Sequence, residues 1–211
     1  MKLLLFLALT GLPITSMAFT ATFQATKDTT IYNSGNVNGT GQAFFAGQNG
    51  LGTTQRGMFA FDLSFIPPGS TVTNVSLSFY VTTQGQAGGA ETMNMHRITS
   101  DWNEASVGVG GENAGGGEGV TPVAGDATWT SSGIAPWSTS GGDFDATISS
   151  SNVISSIGAV VFTGAGLVTD VQNWVDGVNP NYGWMMRGNE SAAGSAKRIA
   201  SRENTGDGGN N

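Results

Sequence analysis

Arg56 to Val81 reads RGMFAFDLSFIPPGSTVTNVSLSFYV. Phe59, Phe61 and Leu63 alternate with Met58, Ala60 and Asp62. Val75, Leu77, Phe79 and Val81 alternate with Asn74, Ser76, Ser78 and Tyr80. A period of two over that length marks strands with one face on a core and one in water. Between the runs, Pro67-Pro68-Gly69-Ser70 cannot continue a ladder, because proline lacks the donor and holds its own φ. The segment is therefore expected to build an antiparallel β layer.

The flanking sequence repeats the pattern. Phe19–Tyr32, Phe44–Ala46, Met93–Thr99, Ile157–Thr163, Tyr182–Arg187 and Lys197–Arg202 read as further strands. Gly/Asn-rich stretches separate them, notably Asn33–Gly41, Val107–Gly125 and Ser138–Asp145. One helix is expected at Thr169–Gly177. Val168, Val171, Trp174 and Val175 share a face there, Thr169 can cap the start and Gly177 the end. Asp101-Trp102-Asn103-Glu104 has the spacing of a capping box on a short helical turn. Many short strands and one small helix predict an all-β fold, a jelly-roll-like antiparallel β-sandwich, with an immunoglobulin-like sandwich as the alternative.

Composition narrows the function. Only 11% of the 211 residues are charged, and Gly, Ser, Thr and Asn take their place. Fifteen acidic residues against eight basic give a net charge of −7, which is no footprint for nucleic acid. Cysteine is absent, so disulfides, thiolate metal sites and cysteine nucleophiles are excluded. Lys2, the apolar run Leu3–Leu12 and Ser16-Met17-Ala18 read as a secretory leader over residues 1–18. That run is shorter than the ~20 residues a membrane span needs. A single β domain over 19–204 and a flexible tail over 205–211 follow, and the mature chain is expected to be secreted or at the cell surface. A buried first strand is the other reading of the leader segment.

No nucleophile elbow and no H-E-x-x-H helix is present. The lone histidine, His96, falls inside a strand. Asp101 and Glu104 could form the carboxylate pair of a glycosidase, but capping explains their spacing. Two carboxylate pairs could hold a structural calcium ion: Asp143 with Asp145 in a Gly-rich turn, and Asp28 with Glu203 if the first and last strands lie side by side. Trp129 and Trp137 stand among Ser, Thr and Gly and are the candidates for an exposed sugar-binding platform. Trp174 and Trp184 read as core.

Several ordered segments carry a resemblance. Lys27-Asp28-Thr29-Thr30-Ile31-Tyr32 comes first, then Arg56–Val81 with its Phe-Asp-Leu-Ser-x-Ile-Pro-x-Gly centre. Arg97–Val107, Trp137–Asp145, Thr169–Trp174, Asn181-Tyr182-Gly183-Trp184 and Ser201-Arg202-Glu203-Asn204 complete the set. Together they resemble the DNRLRE domain, also seen in disaggregatase-related proteins and grouped with carbohydrate-binding module family 96. The resemblance implies an extracellular β-sandwich of bacterial and archaeal proteins. Such a domain would bind polysaccharide without catalysis, or serve as a structural surface or matrix module. The polar motif residues Arg56, Asp62, Asp101 and Glu203 suit a scaffold of partnered charges. Beyond Asn204 the family pattern continues into a final apolar strand, whereas this sequence runs Thr-Gly-Asp-Gly-Gly-Asn-Asn. Either the sequence is a fragment truncated before that strand, which is the simpler reading, or the strand is missing from the domain, which would leave an unpaired edge open to self-association.

Overall fold

The computed structural model describes residues 1–9, 18–109 and 116–206. It is an all-β sandwich with one helix. The strands are β1 (Lys2–Leu9), β2 (Ala18–Tyr32), β3 (Val37–Asn38), β4 (Ala43–Gln48), β5 (Thr54–Phe61) and β6 (Ser70–Thr83). After them come β7 (Glu91–Ile98), β8 (Phe144–Ile154), β9 (Gly158–Thr163), helix α1 (Ala165–Val175), β10 (Trp184–Arg187) and β11 (Lys197–Ala200).

All strand pairs are antiparallel. One layer holds β9, β6, β1, β11 and parts of β2 and β4. The other runs β3–β2–β5–β10–β7–β8. β2 serves both: its first half pairs with β1 and its second half with β5.

The two decisive runs become β5 and β6 but do not pair with each other, which corrects the single layer expected of them. The turn after Phe61 carries the chain from one layer to the other. Their apolar faces meet instead: the Phe59 and Phe79 rings lie 5.2 Å apart, edge to face. Burying those faces between the layers removes far more apolar surface from water than a hairpin lying in one sheet would. In β6 the alternation slips once, so that Val72 and Val75 are both buried. The slip coincides with a register shift between Phe6 and Leu7 of β1, the signature of a β-bulge.

The main core joins Leu3, Leu5, Phe44, Val75, Leu77 and Phe79 of the first layer to Phe59, Met93, Met95 and Trp184 of the second. Leu167, Val171 and Trp174 of α1 close one end. A second core lies on the outer face of the second layer. There Ile31, Met58, Ile98 and Met185 are covered by Trp102, Ala127 and Trp137 from the long connection between β7 and β8. β5 is consequently buried along its whole length.

The segment read as a leader forms β1 in this structure. Residues 10–17, including Ser16 and Met17 of the cleavage motif, lie outside the described residues, as do 110–115 of the Gly-rich loop and 207–211 of the tail. β1 pairs along both β2 and β6. α1 begins at Ala165, earlier than expected, with Gly164 before it and no side-chain cap. Thr169 lies inside the helix and donates to the Ala165 carbonyl at 3.0 Å. Gly177, at φ +69°, follows the helix end as expected. No helix among the described residues is long and apolar enough to cross a membrane.

Candidate functional site

The turn from β5 to β6 builds a concave site against the end of α1. Asp62 Oδ1 accepts the Ser64 N–H at 2.9 Å, and the Ile66 N–H donates to the Leu63 carbonyl at 2.9 Å. Leu63 and Ile66 dip into the core, at 8% and 6% exposure. Phe65 between them is thrust outward, 83% exposed. The other wall is the end of α1. Gln172 anchors it by accepting the Val72 N–H at 2.7 Å and donating to the Ser70 carbonyl at 3.0 Å, as a strand partner would. Asn181 donates to the Phe61 carbonyl at 2.8 Å and closes the floor.

The resulting groove has a volume of about 440 Å³ and is lined by Phe61, Asp62, Leu63, Ser64, Trp174 and Asn181, among others. Asp62 is its one ionisable lining residue. The Ser64 N–H holds that carboxyl below the usual carboxylate range, so it is ionised at neutral pH. The Trp174 indole packs 4.5 Å from Trp184. Its ring N–H is buried with no hydrogen-bond partner among the described residues, whereas Trp184 donates to Asp170 at 2.8 Å.

The residues singled out in the sequence serve other ends. Trp137 is 7% exposed and donates its ring N–H to the Thr128 carbonyl at 2.9 Å. It anchors the second core and cannot be an exposed platform. Trp129 is half-buried, with the Arg56 guanidinium 4.6 Å from its ring centre. That stack is part of a charge cluster. Glu190 takes two hydrogen bonds from Arg56, at 2.7 and 2.9 Å, and two from Arg187, at 3.0 and 2.8 Å. Burial raises the Glu190 pKa, but the two guanidinium groups outweigh burial and bring it to about 2.

Asp143 and Asp145 do not converge on a cation site. Asp143 accepts the Ser138 and Thr139 N–H groups and the Ser100 hydroxyl. Asp145 pairs with Arg97 at 2.8 Å and caps the Thr147 N–H at 2.9 Å. Asp28 and Glu203 are brought near each other, although the last strand, β11, pairs with β4 and β6 and not with β1 or β2. Arg202 lies among them: its backbone N–H donates to Asp28 at 2.9 Å, and its guanidinium pairs with Glu203 at 2.9 Å and Glu104 at 2.6 Å. Among the described residues, no group of three or more His, Asp or Glu side chains could hold a metal ion. Burial, then the nearby Glu203 charge, pushes Asp28 up to about 8, although the Arg202 N–H opposes this.

Asp101 and Glu104 form no capping box, since residues 101–105 are not helical. Asp101 meets Lys27 at 3.4 Å. Glu104 accepts the Asp28 N–H at 2.6 Å and locks Arg202. His96 is buried and its Nδ1 donates to the Asp145 carbonyl at 3.0 Å. Sequence reasoning passed over Phe65 and the groove. Phe65 continues the apolar phase of Phe59, Phe61 and Leu63, and the available signal was the pair of prolines after Ile66, which ends the strand before it.

No protein-family model, no curated protein and no solved structure matches the chain.

Proposed function

We propose that the chain is a secreted, non-catalytic module that binds an extracellular polysaccharide, and that it does so at the groove beside Phe65. The carrying observation is the 83% exposure of Phe65 within a loop whose neighbours are pinned into the core. An aromatic face held out rigidly suits the apolar face of a pyranose ring. The ionised Asp62 and the Ser64 hydroxyl supply acceptors for sugar hydroxyls alongside it. A single carboxylate in the groove fits binding better than glycoside hydrolysis, which uses two. The ordered DNRLRE-like motifs support the same reading.

The test is affinity electrophoresis of the protein through gels containing neutral and acidic cell-wall and algal polysaccharides. Retardation by at least one polymer is expected, lost in Phe65→Ala and Asp62→Ala variants whose melting temperatures are unchanged. A folded protein retarded by none of them would end the proposal.

A structural surface module is the second reading. It is favoured by the burial of Trp102 and Trp137, which spends the aromatics of the long β7–β8 connection on packing. It predicts retention at the cell envelope or self-association, and a monodisperse monomer in the culture medium would count against it.

A further inference from the structure

Lysine is almost never fully buried unless a carboxylate pairs with it. Lys197 of β11 is 0% exposed, yet its three hydrogen-bond partners are neutral oxygens. Its Nζ donates to the Gln84 carbonyl at 2.9 Å and the Gly89 carbonyl at 2.7 Å, which fix the amine in place. The third bond, at 3.1 Å, goes to the side-chain Oε1 of the same Gln84. Gln84 follows the end of β6, next to the cross-strand pair Thr83–Arg198. The amine sets the orientation of the carboxamide, since turning it over would bring donors face to face. The other end of that carboxamide, Nε2, is buried with no hydrogen-bond partner among the described residues. A primary amine and an amide whose NH₂ nothing anchors thus share one buried site. Burial lowers the Lys197 pKa, against the pull of the Glu91 charge, and so eases formation of the neutral amine.

We propose that Lys197 and Gln84 are a cross-linking pair, joined by an intramolecular isopeptide bond between Nζ of Lys197 and Cδ of Gln84. Glu91, at the start of β7, takes one proton from the ammonium. The freed amine attacks Cδ, the new C–N bond forms, and the bond from Cδ to Nε2 breaks. The leaving nitrogen takes one proton from the attacking amine and one from Glu91, and departs as ammonium. No oxidant and no second substrate enter. The product replaces a buried charge and an unpartnered NH₂ by one neutral amide, which removes two burial costs together. It also ties β11 to the end of β6 across 113 positions, in a chain with no cysteine to do so. Closing so long a loop takes more entropy from the unfolded chain than closing a short one.

Mass spectrometry of the denatured full chain is the test. Lys197→Ala and Gln84→Ala chains should each differ from the wild type by the substitution plus one ammonia, which only the wild type has lost. Tryptic mapping reads the bond itself. Peptide 57–97 should be found joined to peptide 188–198, because trypsin does not cut after an acylated Lys197. In Glu91→Gln the joined peptide should be largely lost. Separate peptides 57–97 and 188–197 from folded wild-type protein would overturn the proposal, with no variant needed. A joined peptide at wild-type yield in Glu91→Gln would overturn the part assigned to Glu91.

Discussion

Replacing Glu190 by Gln should be the most informative surface-to-core perturbation in this protein. The carboxylate is shared by Arg56 and Arg187 through four hydrogen bonds. Arg56 is only 10% exposed, donates also to the Gly141 carbonyl at 2.7 Å, and stacks on Trp129. It cannot swing out to water without breaking the seam between β5 and the β7–β8 connection. The fall of the Glu190 pKa from 4.5 to about 2 corresponds to ~3 kcal/mol at ~1.4 kcal/mol per pH unit. Removing one partner of such a pair costs about 3–5 kcal/mol, because the guanidinium groups stay behind uncompensated. A depressed carboxyl pKa stabilises the fold above its unfolded value and loses that contribution as pH falls from about 4.5 to about 2. Urea denaturation of both proteins from pH 7 to pH 2 is the assay. The difference between them should be about 3 kcal/mol at pH 7 and should shrink toward zero near pH 2. A difference under ~1 kcal/mol at pH 7, or one constant with pH, would refute the argument that this cluster is a stabilising charge lock.

Three further outcomes are expected. Asp28 has a raised pKa, so the fold favours its protonated form and loses stability as pH rises from about 4 toward about 8. Asp28→Asn should therefore melt higher than the wild type at pH 8 and alike at pH 4, measured by calorimetry. Trp137→Ala should cost about 3–5 kcal/mol by cavity formation in the second core, yet leave polysaccharide retardation unchanged, which separates it from Phe65→Ala. Gly183 has φ +81° and a Cβ there would meet the Phe59 carbonyl oxygen at 2.1 Å. Gly183→Ala should destabilise by ~2 kcal/mol or more, read as a lower urea midpoint.

The sequence was most legible where one face met one core. The alternation in β6 and the spacing of Val171 and Trp174 in α1 carried straight into burial. Legibility failed where burial was two-sided or the partner was remote. β5 alternates in sequence but is buried on both faces, because the β7–β8 connection covers the second one. The same covering hides Trp137, whose polar neighbours advertised exposure. β8 was missed because Ser149, Ser150 and Ser151 carry no apolar period, while Ile148 and Val153 face solvent. Glu104 has the local spacing of a cap, but its partners lie on β2 and at Arg202, far away in sequence. The Asp28–Glu203 approach was expected from neighbouring first and last strands, but β11 pairs with β4 and β6, and it is the chain after β11 that brings Arg202 and Glu203 to Asp28. Phe65 was not legible, because its exposure depends on Leu63 and Ile66 being pulled inward on either side.

A strand that belongs to both layers also has a mechanical meaning. Tension on β2 from its N-terminal end would peel the β1 pairs one at a time, as in a zipper. Beyond Ala25 the same pull would meet the β5 ladder, with Asp28 clamped by Glu104 and Arg202. The domain would then yield in two steps, a soft one near the N-terminus and a stiff one at that clamp. Slack would be given first near the N-terminus, while the groove beside Phe65 stays intact.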